Sequence, residues 1–317
     1  MPRPSSNRLV EVDALRGMAA LAVVLFHYTT RFGELFTTGA TPTVSFPLGH
    51  YGVNLFFIIS GFVIFMTLEK TARPMDFVVS RFSRLFPAYW AAIFLTYLIC
   101  HVLGLPGKLV GFGTALANML MLHSLFGVPH VDGVYWTLEV ELLFYFGMFL
   151  LYRLKWLGQV HLALFGLMLL RLVYYVFEHQ FAIHLPWIIF RLTILQYIPW
   201  FSLGISIYLA TSRHGSGTWR VPACTAAMAI IVLLICESLF VGCLAVALAT
   251  SLFLAASGHL PILRFWPCVW LGTISYPLYL LHENIGWGGV RSLQGTARWP
   301  APQPDSQQTM THKSEAQ

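Results

Sequence analysis

Apolar residues fill this chain in long blocks separated by short polar stretches. Nine of the blocks reach the length of about 17 to 25 residues that an α-helix needs to cross a bilayer. They fall near 14–31, 49–67, 85–103, 136–152, 158–178, 188–211, 221–238, 240–258 and 266–284. The pattern predicts an all-α fold, a polytopic transmembrane helical bundle of about nine spans. A further apolar stretch, 109–126, is interrupted by glycines and contains Asn118 and His123, so its length alone does not decide whether it crosses. Beyond residue 284 the composition changes: 285–317 is rich in Gly, Pro, Gln, Ser and Thr and carries no apolar run, which predicts a disordered tail. The chain thus divides into a membrane domain, 1–284, and a polar tail, 285–317.

Composition agrees with this division. At 57% hydrophobic and 10% charged residues, with a mean hydropathy of +0.69, the 317-residue chain has too few polar side chains to clothe a water-soluble globule. The Lys and Arg residues behind the formal charge of +6 gather between the apolar blocks. They suggest cytoplasmic loops rather than a nucleic-acid surface. Five basic clusters stand out: Arg3 and Arg8; Lys70, Arg73, Arg81 and Arg84; Arg153 and Lys155; Arg213 and Arg220; and Arg264. All five lie on the cytoplasmic side if 109–126 does not cross, whereas the last three fall outside if it does. The positive-inside rule therefore predicts a re-entrant or interfacial segment there. The first block lacks a small-residue cleavage site and carries Arg16, so it reads as a retained span and not as a signal peptide. Cys100, Cys224, Cys236, Cys243 and Cys268 stand singly, without metal-ligand spacing, as packing residues.

Several blocks carry ionisable groups that a bilayer makes expensive. In D-A-L-R-G-M-A-A-L-A-V-V-L-F-H, the step of eleven from Arg16 to His27 is three helical turns plus about 20°, so both occupy one face roughly 16 Å apart. Asp13 lies one turn before Arg16 and can offset its charge, while Gly17, Ala19 and Ala20 admit a close neighbouring helix. The face points at protein; the bland alternative is a snorkelling Arg16 and a packing His27. Asn54 and Ser60 in the second block are packing or site residues. Arg81 and Arg84, three apart on one helical face just before Pro87, suit either anionic headgroups or bidentate contacts to a pyrophosphate. In W-T-L-E-V-E-L-L-F-Y, Glu139 and Glu141 differ by 200° and cannot share surroundings, so at least one faces a polar interior unless both stop at the headgroups. The last block ends in Tyr276, Tyr279 and His282, an aromatic interfacial finish.

Five stretches in this order, D-A-L-R-G-M-A-A-L-A-V-V-L-F-H, G-V-N-L-F-F-I-I-S-G-F-V-I, S-R-F-S-R-L-F-P-A-Y-W, W-T-L-E-V-E-L-L-F-Y and S-Y-P-L-Y-L-L-H, resemble the bacterial membrane acyltransferases of the acyltransferase-3 type. The resemblance covers roughly residues 8–284. It implies essential roles for Arg16 and His27, places the family's glutamate at Glu141, and puts the donor-binding basic segment at Arg81 and Arg84. Asp13, Asn54, Tyr276 and His282 are supporting candidates. The implied activity moves an acyl group, commonly acetyl from acetyl-CoA, onto hydroxyls of surface glycans or exported metabolites at a bacterial inner membrane, with acyl-CoA as co-substrate and no other cofactor or metal. Similar proteins usually have ten spans and continue past the tyrosine-rich block into another hydrophobic helix, whereas this tail is polar, so a truncated or altered end is expected. An appended soluble hydrolase-like domain, found in some relatives, is not expected from these residues.

The available groups suit that chemistry. A neutral imidazole at His27 can take a proton from an acceptor hydroxyl as it attacks a thioester carbonyl. Arg16 would position the donor or balance charge, and Glu141 would orient the imidazole or the acceptor. No Ser or Cys sits in a nucleophile setting, which favours direct transfer. The rival readings are a secondary transporter or flippase using the same groups as a proton or substrate path, and an inactive relative; no internal repeat supports the first.

Overall fold

A computed structural model of the chain describes residues 9–35, 44–105, 107–212 and 219–293. Among these residues the fold is all-helical. The helices, in order, are α1 (Val10–Phe26), α2 (Phe32–Leu35), α3 (Gly52–Lys70), α4 (Pro74–Leu103), α5 (Phe112–Asn118), α6 (Trp136–Arg153) and α7 (Val160–Phe181). There follow α8 (Trp187–Leu192), α9 (Ile198–Ser212), α10 (Arg220–Cys236), α11 (Leu239–Ala256), α12 (Trp266–Leu281) and α13 (Asn284–Leu293). Among the described residues, five helical stretches are long and apolar enough to cross a membrane: Pro47–Lys70, Pro74–Leu103, Gly133–Arg153, Leu157–Phe181 and Leu239–Ala256.

Each predicted block falls on helix, with three differences that have physical causes. The helix expected from residue 85 begins at Pro74, because proline suits a first helical turn, and it continues through Pro87, so Arg81 and Arg84 share a helix, as their spacing of three predicts. The block at 188–211 is split at Ile194, whose φ of 48° turns the chain between α8 and α9. Residues 284–293, read from composition as the start of the polar tail, form α13. A ten-residue helix needs only one apolar stripe to dock, and Trp287 supplies its buried anchor. Arg3, Arg8, Arg213, and the remainder of the tail from 294 lie outside the described residues.

The chain separates into two compact units. The first comprises the described residues of Met1–Met18, Val53–Ser80 and Val140–Thr273. At its centre is α9, apolar on every side and buried throughout Ile198–Leu209, as a helix without a solvent or lipid face must be. Phe201 stacks on Phe144 with ring centres 3.9 Å apart. A Cβ at Gly61 or Gly204 would collide with the backbone across the α3–α9 crossing, so both positions require glycine. A side chain at Gly17 would likewise strike the backbone of Leu271 and Gly272, in keeping with the small-residue face expected of the first helix.

The second unit comprises the described residues of Ala19–Gly52, Arg81–Glu139 and Ile274–Gln317. Within it the stretch 109–126 is not one helix: α5 has seven residues, about 10 Å of rise, and a separate single turn spans His123–Phe126. Asn118 fastens this segment to protein. Its Nδ2 donates to the Pro129 carbonyl at 3.0 Å, its Oδ1 accepts from the Val131 amide at 3.0 Å, and its own carbonyl accepts from the Tyr89 hydroxyl at 2.9 Å. His123 and His130 meet nitrogen to nitrogen at 2.9 Å. The Tyr276 hydroxyl donates to the Leu85 carbonyl at 2.9 Å and ties α12 to α4.

Candidate active site

His27 stands where α1 widens into a π turn, His27–Arg31. Such a widening shifts amides out of register with the carbonyls one α-turn back and recurs at functional positions. Here side chains reach those carbonyls instead. His27 Nδ1 lies 2.9 Å from the Val23 carbonyl, and the Thr29 hydroxyl donates to that of Leu25 at 2.6 Å.

The second unit also brings His282 to His27. His282 Nε2 lies 3.2 Å from His27 Nδ1, with the rings edge to face. His282 Nδ1 lies 2.7 Å from the Tyr279 carbonyl, which can only accept, so the hydrogen of a neutral His282 sits on Nδ1 and its Nε2 offers a lone pair. His27 Nδ1 faces that lone pair and the Val23 carbonyl, so it carries the hydrogen of the neutral ring. The lone pair of the neutral His27 ring therefore lies on Nε2. The Tyr28 hydroxyl donates to the His282 carbonyl at 2.6 Å, and Thr137 and Tyr279 hydroxyls meet at 2.8 Å, fixing the turn that carries His282.

On its basic side, His27 Nε2 lies 4.0 Å from Glu283 Oε2. Glu283 Oε1 is 3.7 Å from Lys108 Nζ, and Lys108 also lies 4.8 Å above the Trp287 ring. Glu283 packs so closely on Gly133 that a Cβ there would come within 2.8 Å of both its carboxylate oxygens. Beside it, Asp132 is fully buried and accepts from the backbone amides of Val134 and Asn284. Burial pushes the Asp132 carboxyl well above the ordinary carboxylate range, and the Glu283 charge adds to this, against Lys108 and the Asn284 amide, which pull the other way.

Several of the remaining sequence candidates have their own partners. In the first unit, Arg16 donates to Asp13 at 3.2 Å, as the spacing predicts, and Glu141 accepts from the Ser60 hydroxyl at 3.1 Å and from the Tyr145 hydroxyl. Asn54 lies in the first turn of α3. In the second unit, Glu139 accepts from Ser124, so the two glutamates separate as their 200° offset requires. The carboxylate that faces the His27 imidazole is Glu283. Arg81 is half-buried and Arg84 exposed on the first half of α4.

Sequence reasoning did not find Lys108, Asp132, Glu283 or Trp287. Glu283 carried the same signal that singled out Glu139 and Glu141, a carboxylate inside an apolar block, but the adjoining aromatic finish drew the eye.

The profile of the acyltransferase domain matches residues 9–301. The chain belongs to this acyltransferase family. Among curated proteins, protein 2 of the picA locus of Rhizobium radiobacter is 37% identical over 33% of this chain and 54% of its own. Exopolysaccharide production protein ExoZ of Rhizobium meliloti is 32% identical over 38% of this chain and 37% of its own. Peptidoglycan O-acetyltransferase OatA of Listeria monocytogenes is 24% identical over 89% of this acyltransferase-family chain and 50% of its own. The chain thus spans about half or less of the length of these relatives. No solved structure matches it.

Proposed function

We propose that the protein is a multi-pass O-acyltransferase of a bacterial inner membrane, moving an acyl group, in the first instance acetyl, from acyl-CoA to a hydroxyl of a surface glycan or another exported acceptor. The observation that carries this reading is the pair of contacts at His27 Nδ1, to the Val23 carbonyl and to His282 Nε2, which leave the lone pair of the neutral ring on Nε2. As the acceptor oxygen attacks the thioester carbonyl, its proton passes to Nε2. The C–S bond then breaks and the leaving thiolate takes that proton, so ester and thiol form with no covalent enzyme intermediate. Arg81 and Arg84 bind donor phosphates, Arg16 positions the donor or balances charge, and Glu141 positions the acceptor. Acyl-CoA is a co-substrate, and no metal enters the reaction.

About nine crossings from a cytoplasmic N-terminus keep the basic clusters inside and put the chain beyond residue 285 outside. The short, protein-fastened α5 supports a non-crossing 109–126. The family match and the printed names of ExoZ and OatA favour a glycan acceptor. The test compares alkali-labile esters on surface glycans and exported metabolites with and without the gene. A single lost ester, restored by the intact gene, is expected and names acyl group and acceptor together; an unchanged ester profile, with altered export of an unmodified compound, overturns the reading.

A further inference from the structure

The proton taken by His27 creates a cation at a site that is only slightly exposed: 15% of the His27 side chain and 8% of that of Glu283 are accessible. An uncompensated imidazolium is costly there. Glu283 lies on the reactive side of the ring, 4.0 Å from Nε2, too far for a direct hydrogen bond in the resting state and near enough to act through its charge. It is held from three directions. Lys108 Nζ lies against one oxygen, Gly133 leaves room for both, and the following residue, Asn284, is fixed by its amide to Asp132 and by Nδ2 to the Val131 carbonyl at 2.9 Å.

Resting on the reading of His27 as the base, we propose that Glu283 is a positioning residue whose charge stabilises the His27 imidazolium during transfer, and that Lys108 limits this effect so that the proton is released to the departing thiolate. The two act with opposite sign on one nitrogen. A carboxylate alone at this distance would hold the proton on His27 too firmly for the second half of the reaction; an ammonium behind it moderates the field. Other groups around the imidazole are His282 on Nδ1, the Trp287 ring 6.5 Å away, and Phe26, against which His50 of the Pro47–Tyr51 turn packs with ring centres 5.4 Å apart; Asp132 lies behind Glu283.

The test is the pH dependence of acetyl transfer from acetyl-CoA in membrane vesicles. An imidazolium at His27 cannot take the acceptor proton, so a general-base mechanism gives activity a rising limb with pH. Glu283→Gln removes the stabilising charge and should move this rising limb to lower pH by about one unit, a tenfold change in proton affinity. Lys108→Met should move it to higher pH, and Glu283→Asp should restore most of the wild-type position. A merely structural role lowers activity at every pH and leaves the limb in place, so unmoved limbs, or two shifts of the same sign, overturn the proposal. If Glu283→Gln does not accumulate in the membrane, Lys108→Met decides alone: an unmoved or lowered limb overturns it. His27→Asn separates the two levels, since transfer that survives this change removes the base itself, whereas abolished transfer with unmoved Glu283 and Lys108 limbs refutes only the present inference.

Discussion

Replacing His27 by Asn tests the base more cleanly than replacing it by Ala. The asparagine amide is attached at the same carbon as Nδ1, so it can still donate toward the Val23 carbonyl and His282 Nε2, but nothing remains at the position of Nε2. Removal of a general base costs on the order of 100- to 10,000-fold in rate, or about 3 to 5 kcal/mol of barrier. The alanine variant loses the base and also the donor. His282 is 4% exposed, so its Nε2 would be left without that donor, at a further stability cost of about 1 to 3 kcal/mol. The expected result is that both variants lose transfer while only His27→Ala melts earlier. Radiolabelled acetyl-CoA given to membrane vesicles, with alkali-released acetate counted per folded protein, measures the first effect; thermal unfolding in detergent measures the second. Transfer by His27→Asn within about threefold of wild type would refute the assignment.

The donor and the topology are open to separate tests. Arg81→Glu with Arg84→Glu should raise the KM for acetyl-CoA more than that for the acceptor, seen in initial rates with each substrate varied; an unchanged donor KM with poorer membrane association indicates a headgroup anchor instead. In a cysteine-free background, cysteines introduced near 130 and near 300 should both react with an impermeant maleimide from outside. Labelling at 130 only from the cytoplasmic face shows that 109–126 crosses.

The helices were legible because each apolar block is long enough to be a span, and the Arg16–Asp13 pair because it lies one turn apart. The face containing Gly17 was legible for the same reason: periodicity reports what shares a helix. It does not report what meets across helices. Lys108, Asp132, Glu283 and His27 are brought together by the fold from four separate stretches, with no spacing rule to connect them. His282 was visible as a supporting residue, but its role in setting which nitrogen of His27 is free rests on the Tyr279 carbonyl, a backbone atom with no sequence signature. The start of α13 was missed because a short amphipathic helix looks polar in composition, and the start of α4 because a basic stretch before a proline resembles a loop.

The π turn at His27–Arg31 also decides how this part of the chain tolerates insertion and deletion. Removing one residue from those five would let the backbone relax into an uninterrupted α-helix, and because a π turn carries one residue more than an α turn, the chain on either side would keep its angular register while the side chains within the turn are displaced. Tyr28 would then leave the His282 carbonyl that it now holds. The turn can thus absorb a change of one residue without rotating the chain on either side, and what such a change costs is the local placement of Tyr28 and its neighbours.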